Sequence, residues 1–183
     1  KSMTVKTDGL IERTLNNFIG ETLYTGANSV RSVNLLAGFN TQYGTSLTAE
    51  QARLNPEFIR YAAYMIRLFS DRLVKISTLF NAGGKDRFTP KDMQKIILLS
   101  EFKTAADIYL YSDTFHNELT RLPESDEVPY WQGTGTAYDF KSTSAINVKT
   151  SAGNTVAQAG ILGVILDRDA CGVSNLSKRV TTD

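Results

Sequence analysis

The stretch NPEFIRYAAYMIRLFSDRLVKISTLFNAGG, residues 55–84, limits the possible folds of this chain more than any other. Phe58, Ala62, Met65, Phe69, Leu73, Ile76 and Phe80 recur at steps of three and four. That spacing gathers them on one side of a 3.6-residue helix. Asn55 can cap its start and Pro56 suits the first helical position, where a missing N–H removes no hydrogen bond. Gly83-Gly84 mark its end. The pattern predicts one continuous helix over 56–80, about 39 Å long at 1.5 Å per residue. Few globular helices reach that length, so the segment is expected to run through the molecule as its backbone element. The stripe of aromatics and methionine reads as core rather than as a cofactor box. Arg60, Arg67, Arg72 and Lys75 fall outside it, on an ordinary solvated or subunit-facing side.

The flanking segments are shorter. Residues 1–27 are ambiguous: Thr4, Val5, Thr7, Leu10 and Ile11 could form a strand interrupted at Asp8-Gly9. In NSVRSVNLLAG, Val30, Val33 and Leu36 have helical spacing, with Asn28 or Ser29 placed to cap and Gly38 to stop the helix. TSLTAEQARLN offers Ser46 and Thr48 as caps for another short helix. Beyond the long helix, Thr89-Pro90-Lys91-Asp92 predicts a single helical turn, and KIILLSEF a buried strand. Thr104 is placed to start a second helix, with Asp107 completing a capping-box-like pattern. Its inner stripe would be Ala105, Ile108, Ser112, Phe115, Leu119 and Leu122, and Pro123 would stop it. The loop from Pro123 to Phe140 has Tyr130 and Trp131 as anchors. AINVKT and TVAQAG read as two strands joined at Gly153-Asn154. The apolar run Ile161–Leu166 forms a last strand. Helices and strands alternate irregularly, which favours an α+β class over repeated βαβ units.

Charge and cysteine content narrow the function. Twenty basic residues against nineteen acids leave a formal net charge of +1. That balance supplies no basic excess to displace counterions from a nucleic acid. No stretch reaches the roughly 18–20 apolar residues of a membrane helix. Cys171, the one cysteine, permits no internal disulfide and is compatible with a reducing compartment. Lys1 is not an initiator methionine, and KSMTVKTDG lacks the apolar region of a signal peptide. A fragment or a processed chain is therefore expected.

Three groups could carry chemistry. Asp167, Asp169 and Cys171 close the final apolar strand, where paired acids can bind a metal or transfer protons. No His-x-Glu or Cys-x-x-Cys spacing supports them. The expected arrangement is a capped turn, with Asp167 capping, Arg168 pairing outward, and Ala170 and Cys171 packed inward. His116, the sole histidine, could form a dyad only with Cys171. GTGTAY has the glycines of a phosphate loop but neither its preceding strand nor its lysine. The sequence therefore assigns no catalytic, cofactor-binding or metal-binding residue, and no cofactor.

Five segments taken in order are more specific than any one alone. YGTSLTAEQARLNPEFIRYA leads into the long helix and TLFN closes it. IILLSEFKTAADIYLYSDTFHNELTRLP, VPYWQGTG and GILGVILDRDACGV follow. Together, over about residues 28–182, they resemble the major capsid proteins of tailed bacteriophages. The resemblance implies the Hong Kong 97-like capsid fold, with residues 1–54 a partial peripheral domain of short helices. Residues 55–87 would hold that domain's spine helix. Residues 88–183 would form the axial domain and the start of a return to the peripheral one. LDRDACG would then mark where a central strand leaves the axial sheet.

The function implied is that of a structural, non-enzymatic subunit of an icosahedral phage or prophage shell. It would self-assemble into hexamers and pentamers that enclose DNA. Other copies of the chain would be its partners, with scaffolding and portal proteins as further ones. Neither a membrane nor a specific nucleic-acid sequence would be. Assembly would take place in the host cytoplasm, and the product would be a virion. Relatives carry an N-terminal arm, an extended loop and later peripheral strands, which this chain is expected to lack. The alternatives are an encapsulin-like compartment shell, a hydrolase using Cys171 and His116, or a small nucleic-acid-binding module.

Overall fold

The computed structural model describes residues 2–26, 29–81, 83–112, 122–128, 146–158 and 160–172. Its centre is β1 (Gln94–Leu99), where Ile96, Ile97, Leu98 and Leu99 are all buried. Four consecutive buried residues need cover on both faces of a strand, since neighbouring side chains point opposite ways. β1 lies between β2 (Asp126–Val128), which is parallel to it, and β5 (Gly163–Asp167), which is antiparallel. Ile96 faces Ile165, and Leu98 faces Gly163. A side chain at Gly163 would start 2.6 Å from Leu98 Cδ2, so the close approach of the two strands depends on glycine there.

The helices come mostly before this sheet. α1 spans Ser2–Thr25, α2 Leu35–Tyr43, α3 Ala49–Ala52, α4 Pro56–Leu73 and α5 Ser100–Ser112. A 3-10 turn, Lys91–Met93, leads into β1 where a single turn was expected. β3 (Ile146–Lys149) and β4 (Thr155–Gln158) make the predicted hairpin, with Gly153 at φ 82°. One core cluster joins Ile19 of α1, Phe39 of α2, Ile59 and Ile66 of α4, the β1 residues and Phe102 of α5. The mixture of helix with a small mixed sheet and a hairpin is α+β, as the sequence predicted.

Several boundaries differ from the sequence reading. α1 is one continuous helix, not a strand broken at Asp8-Gly9. Glycine inside a helix costs only about 1 kcal/mol, and packing further along offsets it. Leu15, Phe18, Ile19 and Leu23 have helical spacing and meet the core. Gly20 lets the helix approach the β3–β4 hairpin, because a Cβ there would lie 2.7 Å from Val148 Cγ1. Glu21 accepts from the backbone N–H and the hydroxyl of Ser151 in the hairpin turn.

α2 is capped by Asn34, whose side chain accepts from Ala37 N, and not by Asn28 or Ser29. Gly44, at φ 63°, ends it. Gly38 lies within the helix, where a Cβ would meet the Tyr61 hydroxyl at 2.7 Å. It admits a neighbour rather than stopping the helix. Phe39 packs edge-on against Phe58 and Tyr61 and binds α2 to α4. α3 opens with the capping box that its sequence offers, Thr48 with Gln51.

α4 starts at the predicted cap, Asn55, but stops at Leu73 rather than near Phe80. Continuing the helix would require Ser77 N–H to donate to Leu73 O. Thr89 N–H takes that carbonyl at 2.8 Å, and Ser77 exchanges two backbone bonds with Arg87 instead. The buried face is also displaced from the predicted stripe. Phe58 and Ala62 are buried as expected, but Ile59, Ala63, Ile66 and Ser70 complete the face. Met65, Phe69 and Leu73 are half-buried, and Ile76 is exposed.

α5 begins at Ser100, directly after β1, so Thr104 lies inside it and SEF belongs to helix rather than strand. Phe102 and Ala106 face the core, while Ile108 points to water. Phe115 and Leu119 lie outside the described residues, as do Tyr130 and Trp131.

Candidate functional site

The acidic turn after β5 is a closed structural corner. Asp167 Oδ2 accepts from the Thr89 hydroxyl at 2.9 Å, and Oδ1 accepts from Asp169 N–H at 2.9 Å. Its carbonyl accepts from Ala170 N–H. Both carboxylate oxygens thus already have partners within the chain. Arg168 donates from its backbone to Met93 O and from its guanidinium to Asp92 O, which staples the turn to the 3-10 turn before β1. Cys171 is half-buried against the core, as predicted, but Ala170 is exposed. Its N–H closes the turn, which leaves the methyl outside. β5 is an edge of the three-stranded sheet among the described residues, and β1 is the centre. LDRDACG therefore leaves an edge strand, contrary to the expected central one.

His116 and the GTGTAY loop lie outside the described residues. No group of three or more His, Cys, Asp or Glu among the described residues could hold a metal ion. No helix among them is long and apolar enough to cross a membrane. The four basic residues singled out on α4 and just beyond it are all off the buried face. Arg60 pairs with Glu57 at 2.7 Å, and Arg72 lies over the Phe69 ring. Arg67 and Lys75 are exposed.

One polar cluster was missed by the sequence reading. Ser70, on the buried face of α4, donates to Gln94 Oε1 at 2.6 Å and accepts from Lys91 Nζ at 2.7 Å. Gln94 Nε2 donates to the carbonyls of Ser70 and Thr89. Lys91 also pairs with Asp71 at 2.6 Å. The Lys91 hydrogen bond holds the Asp71 carboxyl below its ordinary value, against a smaller opposing effect of lost hydration. With Thr89 bonded to Asp167, the network fastens the end of α4 to the start of β1 and the end of β5. A serine beside a lysine is also the arrangement of an activated nucleophile. Ser70, however, is only 1% exposed and its proton is directed at Gln94, so no substrate can reach it. The sequence signal was available: a small polar residue on the inner face of an amphipathic helix.

A second polar clamp joins α5 to β2. Lys103 pairs with Glu127 at 2.8 Å, and that bond raises the lysine above its ordinary value despite some desolvation. Lys95 pairs with Asp126 across the adjacent strands.

These polar groups join α4 to β1 and α5 to β2. The chain belongs to the Phi29-like phage major capsid protein family, whose model matches residues 21–183. It is a structural capsid subunit, a component of the virion that assembles with copies of itself. No curated protein and no solved structure matches it.

Proposed function

We propose that this subunit builds an icosahedral shell in the Hong Kong 97-like manner, with α4 as the spine of a peripheral domain. In this reading residues 1–54 and 55–87 belong to the peripheral domain and 88–183 to the axial domain and its return. Hexamers and pentamers of the chain enclose DNA, with scaffolding and portal proteins as assembly partners in the host cytoplasm. This reading calls for no catalytic, cofactor or metal residue. Its work is geometric: rigid junctions between elements set the angle at which one copy meets the next, and a head-to-tail contact closes into a ring when that rotation divides a circle.

The observation that carries this reading is the family match over residues 21–183. The order of elements is consistent with it: an amphipathic helix latched to the first strand of a mixed sheet. Electron microscopy of the purified chain, alone and expressed with its neighbouring phage genes, tests it. Rings of five and six copies, or closed shells, are expected. Strictly monomeric material under all conditions would overturn it.

A further inference from the structure

The stretch from Leu73 to Phe80 carries two patterns at once. Phe69, Leu73, Ile76 and Phe80 keep the three-and-four spacing of α4, which suits a helix. Val74, Ile76 and Thr78 are β-branched residues at every second position, which suits a strand. The structure takes the second option. Ser77 and Arg87 exchange two backbone hydrogen bonds, at 2.9 and 3.1 Å, and tie Val74–Phe88 into a short ribbon. Thr89 N–H closes its base on Leu73 O. Near the tip, the Asn81 side chain accepts from Lys85 N–H and donates to Lys85 O.

Little burial rewards that choice. Val74 is 41% exposed, Ile76 64%, Leu79 62% and Phe88 55%. Ile76 and Phe88 are cross-strand neighbours by the register of the Ser77–Arg87 bridge, and both stay more than half exposed. A helix continued to Phe80 would offer a comparable set of bonds. The N–H groups of Ser77, Thr78, Leu79 and Phe80 would donate to the carbonyls of Leu73, Val74, Lys75 and Ile76. Ile76 and Phe80 would then lie on the same side as Phe69 and Leu73, which are half-buried.

Both arrangements fit between the same fixed points. Upstream, Ser70 is buried and bonded to Gln94 and Lys91. Downstream, Thr89 is buried, its hydroxyl donates to Asp167, and its carbonyl accepts from Gln94 Nε2. A longer α4 leaves all of these bonds in place. At the base, only the bond from Thr89 N–H to Leu73 O competes with it. Continuing from Leu73 to Phe80 lengthens the helix by about 10 Å. Residues 81–88 can reach up to about 26 Å when extended, enough to return to Thr89.

We propose that Val74–Phe80 is a two-state segment, which alternates between the ribbon and an α4 lengthened to Phe80. The Ser77–Arg87 bridge and the Leu73–Thr89 bond hold the first state, and the helical ladder holds the second. Two packings of one sequence coexist when their energies are close, and the ribbon has no large buried surface to set it apart. Ile76 stands beside Phe88 in the ribbon but beside Phe80 in the helix. A neighbouring copy would therefore meet a different apolar surface in each state, and contact with it would shift the balance toward the state it fits better. The inference concerns the lone subunit and does not rest on the shell geometry proposed above.

Nuclear magnetic resonance of the full chain, at a dilution where it is unassembled, tests this through the Cα shifts of residues 76–80. Val74→Ala with Thr78→Ala replaces two exposed β-branched residues by the best helix former and keeps the backbone bonds of the ribbon. The shifts should move part of the way from extended to helical values. Arg87→Pro removes an N–H that the bridge requires and should move them further. Exchange of the Thr78 and Phe80 amides should then slow by roughly tenfold or more. Adding Thr78→Pro to Arg87→Pro blocks the helix and should abolish both changes. Extended shifts in the alanine pair overturn the proposal, as do coil values in Arg87→Pro with the β1 resonances intact. If Arg87→Pro unfolds the subunit, as loss of the β1 resonances would show, the alanine pair decides alone. None of these outcomes bears on the capsid reading, which fails separately if the unsubstituted chain never assembles.

Discussion

The strand Ile96–Leu99 and the ribbon Val74–Phe88 are both rich in apolar residues, yet they end in opposite environments. Each of the four strand residues is buried, whereas Ile76, Leu79 and Phe88 are more than half exposed. The difference lies in what surrounds them. β1 is paired on both edges, by β2 and β5, and belongs to the core cluster that includes α4 and α5. Among the described residues the ribbon's strand pairing is its own Ser77–Arg87 bridge. Hydrophobicity in the sequence says that a segment gains by leaving water. It does not say whether the cover is in the same chain, and a subunit that assembles with copies of itself has a second possible source of cover.

The largest expected effect tests the buried half of this contrast. Leu98 has no exposed surface, and Gly163 of β5 packs directly against its side chain. Leu98→Ala should destabilise the subunit by about 2–5 kcal/mol, the range for a buried leucine that leaves a cavity. Urea unfolding of the isolated subunit measures it. A loss below about 1 kcal/mol would mean that β1 is not the centre of the fold.

A smaller effect is expected where α1 meets the hairpin. Gly20→Ala places a methyl 2.7 Å from Val148 Cγ1 and 2.9 Å from its Cβ, on a strand side chain with little freedom to turn away. The overpacking should cost about 1–3 kcal/mol, less the gain of up to about 1 kcal/mol from replacing a helical glycine. Hydrogen exchange should quicken in residues 146–158 and hold steady in β1. Adding Val148→Ala should restore much of the protection; no recovery would mean that the steric account is mistaken.

This contrast also explains what could be read from the sequence. Local signals served well: Asn55 before Pro56, Thr48 with Gln51, the IILL run and the Gly153 turn each fix a few residues through chemistry that acts over a few residues. Features decided across the fold did not. Leu73 gives its carbonyl to Thr89, and no periodicity announces that α4 therefore stops there. Gly38 resembled a stop signal because a glycine's backbone freedom and its small size are the same letter, and only the Tyr61 hydroxyl distinguishes them. The burial of Ser70 in place of Phe69 became intelligible only with Gln94 and Lys91 beside it. For the candidate site, the structural role of Asp167 was legible, whereas the ribbon was hidden inside a helix predicted to be too long.

The polar latch gives a smaller and pH-dependent effect. Asp71 is more acidic in the folded chain than in the unfolded one, chiefly through its bond to Lys91. A depressed carboxylate adds stability above its unfolded pKa and loses it as pH falls through the folded one. Asp71→Asn should therefore lower stability near neutrality by less than about 1 kcal/mol, since the pair is largely exposed and screened. The gap between variant and parent should close as pH falls through the ordinary carboxylate range. It should also narrow in high salt. A gap that persists in acid would show that the substitution acts through packing instead.

The smallest expected effect on the lone subunit tests the comparison most sharply. Ile76 projects from the ribbon at 64% exposure, so Ile76→Ser removes little buried surface within one copy. Its unfolding free energy should change by about 0.5 kcal/mol or less, as is usual for surface positions outside special features. Ile76 and Phe88 are cross-strand neighbours by the register of the Ser77–Arg87 bridge, and the Ser77–Arg87 and Leu73–Thr89 bonds remain to hold the shape. If intersubunit contact is what covers Ile76, the same substitution should markedly lower the temperature at which assembled material dissociates. The size of the effect should therefore depend on protein concentration, because association stabilises by mass action whereas a loss inside the fold does not. An equal loss in monomer and assembly would place the cover of Ile76 within its own chain. The ribbon would then be a poorly packed extension of the core, and its likeness to β1 would go deeper than sequence.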